Sequence, residues 1–331
     1  MNAVTGTLID DQVLQDAVTL ACHAPSLHNS QPWRWVSDGS VLHLFADRAR
    51  RVLAADSSGR ELLLSCGAVL DHLVVAMAAA GWDAVVERFP DSHEPDHLAT
   101  LSFHRSEGVT DAQRRRAQAI LRRRTDRLPF NEPRHWAEIE PLLRMAVIPH
   151  HVMADVVLDA DRPQLAKASR LTEELREYDL SYESELEWWT SPFASGDGIP
   201  PSALASASEA AHLDVARAFP TAAPNDRRHD TGDDHSRIFV LSTHNGDARL
   251  DVLRCGEALS AVLLEGTLAG LASCTLTHMT ETVPSREIIR LLTRQTGSPQ
   301  LLIRFGVVPS SGETLPMTPR RPLAEVMKKH H

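Results

Sequence analysis

Several functional classes are argued against by what this chain lacks. In 331 residues there are four cysteines, Cys22, Cys66, Cys255 and Cys274, with neither a CxxC pair nor the dense spacing of a disulfide scaffold, so reduced thiols are expected. The N-terminus, MNAVTGTLIDDQVLQ, has no basic segment followed by an apolar stretch. No run reaches the ~18 consecutive apolar residues of a membrane span. A cytoplasmic protein without a membrane partner is the expectation. There is no HExxH among the 17 histidines, so no metal is expected. Positive charge is also short. Lys and Arg number 34 against 44 Asp and Glu, a formal net charge of -10, which disfavours a nucleic-acid partner needing a broad basic surface. The clusters Arg114 to Arg116 and Arg122 to Arg124 still leave room for a local anion site.

What is present suffices for a core, since 43% of the residues are hydrophobic. The chain also repeats itself. RELLLSCGAVLDHLVVAMAAAG from Arg60 aligns without gaps to RLDVLRCGEALSAVLLEGTLAG from Arg249, superposing Leu64, Cys66, Gly67 and Gly81 on Leu253, Cys255, Gly256 and Gly270. Each copy is long, free of proline, apolar around most of its circumference and closed by Ala-Gly, which predicts a buried helix with a glycine stop. Two such helices cover each other best at the centre, and the Cys-Gly pairs would permit close approach.

Strands are predicted before and after each copy: 34–36 with 41–45, 84–89 and 98–103 in the first, and 237–242, 273–277 and 300–306 in the second. Helices are predicted at 11–22, 111–124, 136–145, 162–178, 181–189 and 285–293, with a strand at 152–158. The class is therefore α+β, divided into halves at 1–110 and 111–331. Residues 190–236, rich in Pro, Gly, Ser, Ala and Asp, read as a lid insertion or an ordinary surface connection.

The most informative stretch follows the first helix: APSLHNSQPWRW, Ala24 to Trp35. It resembles the APSxxNxQPW signature of nitroreductase-type FMN flavoproteins, matching at Ala24, Pro25, Ser26, Asn29, Gln31, Pro32 and Trp33. Arg123 to Phe130, RRTDRLPF, resembles that family's RRSxRxF element, which ordinarily opens the chain and here lies in its middle. TPRRPLAEV from Thr318 resembles the family's closing proline-arginine segment. The resemblance implies a nitroreductase-like α+β fold, internally duplicated as a pseudo-dimer around two long central helices, and an FMN site. By it, Pro25, Ser26, Leu27, Asn29 and Gln31 meet the flavin ring and ribityl chain. Arg123 and Arg124 hold the phosphate, which Arg320 or Arg321 completes, and Thr125 bonds to ribityl or phosphate oxygens. Arg127 approaches the flavin N1/O2 edge, where a fixed cation stabilises the negative charge of the reduced ring. Thr275, Leu276, Thr277 and His278 occupy the position facing N5.

The two copies have complementary losses. The first has the polar loop but no arginine in Met1 to Asp10; the second has RRTDR but no such loop. One complete site in a monomer is the expectation, and the pattern most resembles the Acg-type mycobacterial subgroup. Implied partners are NAD(P)H and a nitroaromatic, quinone or related small aromatic acceptor. Family members often carry an acidic residue and Gly where this chain has Thr277 and His278, which bears on hydride donation by a nicotinamide. A non-catalytic FMN-storing or FMN-sequestering protein is the alternative. Cys274 reads as a packed strand residue, whereas Trp188 and Trp189 read equally well as flavin cover or core.

Overall fold

The computed structural model describes residues 9–39, 41–191, 197–228, 232–293, 296–309 and 317–329. In chain order its first elements are α1 (Asp11–Ala21), β1 (Trp33–Asp38), β2 (Val41–Ala46), α2 (Arg60–Ala79), β3 (Trp82–Arg88), β4 (His97–Arg105) and α3 (Asp111–Arg122). Then come α4 (Trp136–Val147), β5 (Met153–Val156), α5 (Arg162–Arg176), α6 (Leu180–Trp189) and α7 (Ala207–Ala210). The chain finishes with β6 (Arg237–Thr243), α8 (Arg249–Leu268), β7 (Ala272–Leu276), α9 (Val283–Thr293), β8 (Ser298–Gly306), α10 (Leu323–Val326) and β9 (Met327–Lys329).

Two sheets flank the central helices. One has the order β3-β4-β2-β1-β9 and the other β5-β6-β8-β7. All pairings are antiparallel except β1 with β9, where Trp35 faces Met327 and Val36 faces Lys328. The last strand of the chain thus completes the sheet that its first strand begins, and carries the segment from Met317 back to the loop after α1.

Local chemistry accounts for the helix limits. Asp10 caps α1 by accepting the Gln12 amide, and Thr110 with Gln113 forms a reciprocal capping box on α3. Both central helices stop at Ala-Gly, with Gly81 at φ 84° and Gly270 at φ 80°, a backbone that residues bearing a Cβ avoid.

Helices α2 and α8 pack face to face as the shared pattern predicts, and their contact is backbone on backbone. A Cβ on Gly67 would lie 2.0 Å from the Leu253 carbonyl oxygen, and one on Gly256 would lie 2.1 Å from that of Leu64. By length and composition α2 could cross a membrane, although no run of apolar residues signalled it. It lies instead in the protein core, between α1, α3, α8 and the first sheet. Two of its polar residues meet Ser260 of α8 there: Ser260 donates to Asp71 and receives a hydrogen bond from His72 Nδ1.

Candidate functional site

The loop after α1 is held in an unusual shape. His28, Asn29 and Gln31 have φ of 49°, 58° and 49°, the left-handed region that costs a residue with a Cβ about 1–2 kcal/mol. Hydrogen bonds from three directions hold it. Ser26 Oγ accepts the Gln31 amide at 3.0 Å, Ser65 on α2 accepts the Leu27 amide at 3.2 Å, and Asn29 Nδ2 donates to the Pro319 carbonyl at 3.1 Å. Trp33 and Trp35 are fully buried behind the loop.

This loop forms one wall of a cavity of about 600 Å³, within the usual range of small-molecule sites. Pro25, Ser26, Leu27 and His28 come from the loop, Glu61, Leu64 and Ser65 from α2, and Thr275, Leu276 and Thr277 from β7 and its end. Ser169 and Glu173 on α5 and Arg217 and Phe219 beyond α7 close the remaining sides. Thr125 and Arg127 enter by alternation: Thr125 bridges Ser273 beside β7, and Asp126, between them, turns the other way to pair with Arg228. Arg127 donates to the Ala203 carbonyl at 3.2 Å and sits 5.5 Å from the Phe219 ring centre. It forms no ion pair with a described carboxylate, and burial lowers its pKa from the ordinary arginine value.

At one end the cavity meets a hollow of about 60 Å³, with Pro25, Ser26, Thr125 and Arg127 in both linings. Arg123, Arg124 and Arg320 converge on it, and none of the three pairs with a described carboxylate. Arg123 Nη2 donates to the His23 carbonyl at 3.2 Å, and Arg320 donates to those of Cys22 and His23 at 3.0 and 3.1 Å. The C-terminal end of α1 thereby orients both guanidiniums. Burial, then mutual repulsion, pushes Arg123 down to about 9, and burial, with repulsion from Arg124, pushes Arg320 down to about 10. Burial and the same three cations push His23 down to about 4. The Nε atoms of Arg123 and Arg124 are buried without hydrogen-bond partners. Repelling guanidiniums with unused N–H groups fit a phosphate monoester, which offers several acceptor oxygens and close to two negative charges.

Four expected site residues are placed differently. Gln31 is fully buried, gives Nε2 to the Asn29 carbonyl at 3.2 Å and receives the Arg321 amide at 2.8 Å, so it braces the loop rather than facing the cavity. Asn29 lines only the small hollow. Arg321 turns to the Gln31 carbonyl, Asp47 and Glu325, leaving Arg320 as the C-terminal arginine at the small hollow. His278 lies two residues beyond the end of β7 and points into the core, 2.9 Å from Ser169 Oγ. Burial holds it well below the usual histidine pKa.

The sequence reading missed Glu61, Ser65, Ser169, Glu173, Arg217 and Phe219. Arg217 pairs with Glu281, hydrogen-bonds Tyr182 and reaches Thr277 Oγ1 at 3.0 Å. Burial alone would lower its pKa, but Glu281 and Tyr182 outweigh burial and raise it. Cys274 lines the cavity as a buried strand residue whose thiol pKa is raised by burial. Trp189 packs with Val52, Ala55 and Tyr182 in a small core, whereas Trp188 is exposed; neither lines the cavity. Among the described residues no group of three metal-ligating side chains occurs.

The chain is 53% identical over 320 residues to the Mycobacterium tuberculosis protein named "Putative NAD(P)H nitroreductase acg", with 97% of this chain and 96% of the relative covered. It belongs to the nitroreductase family, in its Acg-like group. No family model matches it. A solved structure described as a "putative nitroreductase" from Anabaena variabilis shares the fold of this nitroreductase-family chain at a TM-score of 0.50 and 9% identity, with 93% of each chain covered. The FMN-dependent nitroreductase NfnB of Mycobacterium smegmatis, solved in complex with NADPH, aligns at a TM-score of 0.41 and 16% identity. That alignment covers 67% of this chain and all of NfnB.

Proposed function

We propose that this nitroreductase-family protein binds one FMN per chain and acts as an oxidoreductase toward a nitroaromatic, quinone or related acceptor, with NAD(P)H as donor. The observation that carries the reading is the convergence of Arg123, Arg124 and Arg320, none paired with a described carboxylate, on the end of a cavity walled by the Pro25 to His28 loop. Arg123, Arg124 and Arg320 would hold the phosphate, Thr125 and Ser26 the ribityl chain, and Arg127 the electron-rich edge of the ring. When bound, FMN would supply hydride and electron transfer. The protein's own part is to fix the ring, place a guanidinium beside the N1/O2 edge and limit water with Leu27, Leu64, Leu276 and Phe219.

We read the two central helices as copies of one ancestral unit, the halves being 1–110 and 111–331. The matched pattern, their equal length of 20 residues and the reciprocal glycine contact support this. The single site would lie between the halves, taking its loop from the first and its arginines mainly from the second.

The stretch 190–236 is proposed as a lid. Residues 192–196 and 229–231 fall outside those described. Within the remainder, Leu204, Arg217 and Phe219 line the cavity, and the Arg50–Asp197 ion pair ties the segment to the first half. This tie favours the second reading, an FMN-storing protein. Anaerobic mixing of the flavin-loaded protein with NADPH decides between the two: bleaching of the flavin band supports the oxidoreductase, and an unreduced band supports storage.

A further inference from the structure

Two cavity-lining residues are left unused by the flavin contacts proposed above. His28, from the loop, and Glu173, from α5, rest against consecutive residues beyond α7. The His28 ring packs edge-on to Phe219 at 6.2 Å between centres, and the Ala218 amide hydrogen-bonds the Glu173 carboxyl. His28 is 5% exposed, and its Nε2 has no hydrogen-bond partner among the described residues; Glu173 Oε1 has no hydrogen bond there either, with His278 Nε2 standing off at 3.8 Å. Both side chains line the same cavity. Two buried polar atoms without a hydrogen bond, on side chains that line one cavity and rest against one short segment, favour a ligand that satisfies both.

Their charge states narrow its chemistry. Burial, then Arg217 and Arg127, hold His28 well below the usual imidazole pKa, so it is neutral. Burial lifts the Glu173 carboxyl to about 7 against the opposing pull of Arg217 and Arg176, with Glu281 adding to the rise. The other groups facing Glu173 are His278, kept neutral by burial, and Tyr182, whose phenol burial keeps protonated. Below neutrality the pair can therefore offer an imidazole N–H and a carboxyl O–H, both uncharged donors. Leu27, Leu64, Leu213 and Leu259 line the same cavity, surfaces suited to a flat aromatic body.

We propose that His28 and Glu173 together recognise the oxygen atoms of an uncharged aromatic acceptor, a quinone or nitroarene. This rests on the reading of the cavity as a flavin-and-acceptor site. A quinone carbonyl has two lone pairs and a nitro group two oxygens, so either accepts from both residues. When Glu173 loses its proton, a donor becomes an anion facing those lone pairs, and binding weakens.

The test is equilibrium dialysis of menadione against the full-length protein, with its FMN content recorded by absorbance. Wild type is expected to bind about tenfold more weakly at about pH 8.5 than at about pH 6. Glu173→Gln keeps an N–H donor and cannot ionise, so its affinity should be flat across that range. His28→Leu should bind about tenfold more weakly at both pH values. Undetectable binding by wild type, or one profile shared by all three proteins, overturns the proposal. A protein without FMN that shows the expected profiles supports the His28–Glu173 assignment and contradicts only the flavin reading.

Discussion

Gly67 and Gly256 meet where the two central helices cross, each lying against the other helix's backbone so closely that a Cβ on either would fall within 2.1 Å of a carbonyl oxygen. In a free helix, Ala in place of Gly would stabilise by about 1 kcal/mol. Here the contact reverses the sign, because neither backbone can yield as a flexible side chain would. Gly67→Ala and Gly256→Ala are each expected to destabilise the protein by at least about 2 kcal/mol, read by urea unfolding. A neutral or stabilising effect would contradict the packing.

The arginines differ in what they face. Arg123→Ala and Arg320→Ala should each weaken FMN binding by tenfold or more, in line with loss of a charge-assisted hydrogen bond worth about 1.5–3 kcal/mol. Arg115→Ala, on the exposed side of α3, should leave it unchanged. Fluorescence titration with FMN separates the two groups, and equal losses at all three positions would refute the assignment.

Glu173 links stability to pH. Its folded pKa, about 7, lies above the ordinary carboxyl value of 4.5. Between these limits the folded state holds more protons than the unfolded state, so this residue's contribution to stability falls as pH rises through the window. Glu173→Gln should therefore raise Tm relative to wild type at about pH 8 and give no gain near about pH 4.5. Calorimetry at both values checks it; a gain confined to the acid side would show the sign to be wrong.

Arg217 and Glu281 are buried partners, their side chains 6% and 0% exposed. Arg217→Met leaves the Glu281 carboxylate with the Thr277 hydroxyl at 3.3 Å and, as its described cation, the more distant Arg176 at 3.7 Å. The expected cost is about 3 kcal/mol, and adding Glu281→Gln should recover part of it. A double-mutant cycle in urea measures the coupling, and strict additivity would contradict a direct pair.

Much of this arrangement was legible in the residues because it follows from periodicity and stop signals. Arg60 to Gly81 and Arg249 to Gly270 declared two buried helices with glycine ends. The Ala24 to Trp33 and Arg123 to Arg127 motifs supply one wall of the cavity and two of the three arginines at the small hollow. Other parts had no local signal. β9 is three residues, Met327 to Lys329, and exists because β1 offers an edge, which pattern along the chain cannot reveal. His278 was expected in the site, but the strand ends at Leu276 and the turn that follows sends its ring into the core. Glu61 and Ser65 were hidden in a helix that reads as apolar all round. Arg217 and Phe219 lie in a segment with no periodicity, placed by the Arg217–Glu281 pair and by packing against His28.

The most direct measurement is FMN stoichiometry, from the absorbance of the full-length protein after reconstitution and removal of free flavin. One complete site between two unequal halves predicts one FMN per chain, lost in Arg123→Ala. Two FMN per chain, or none, would contradict it.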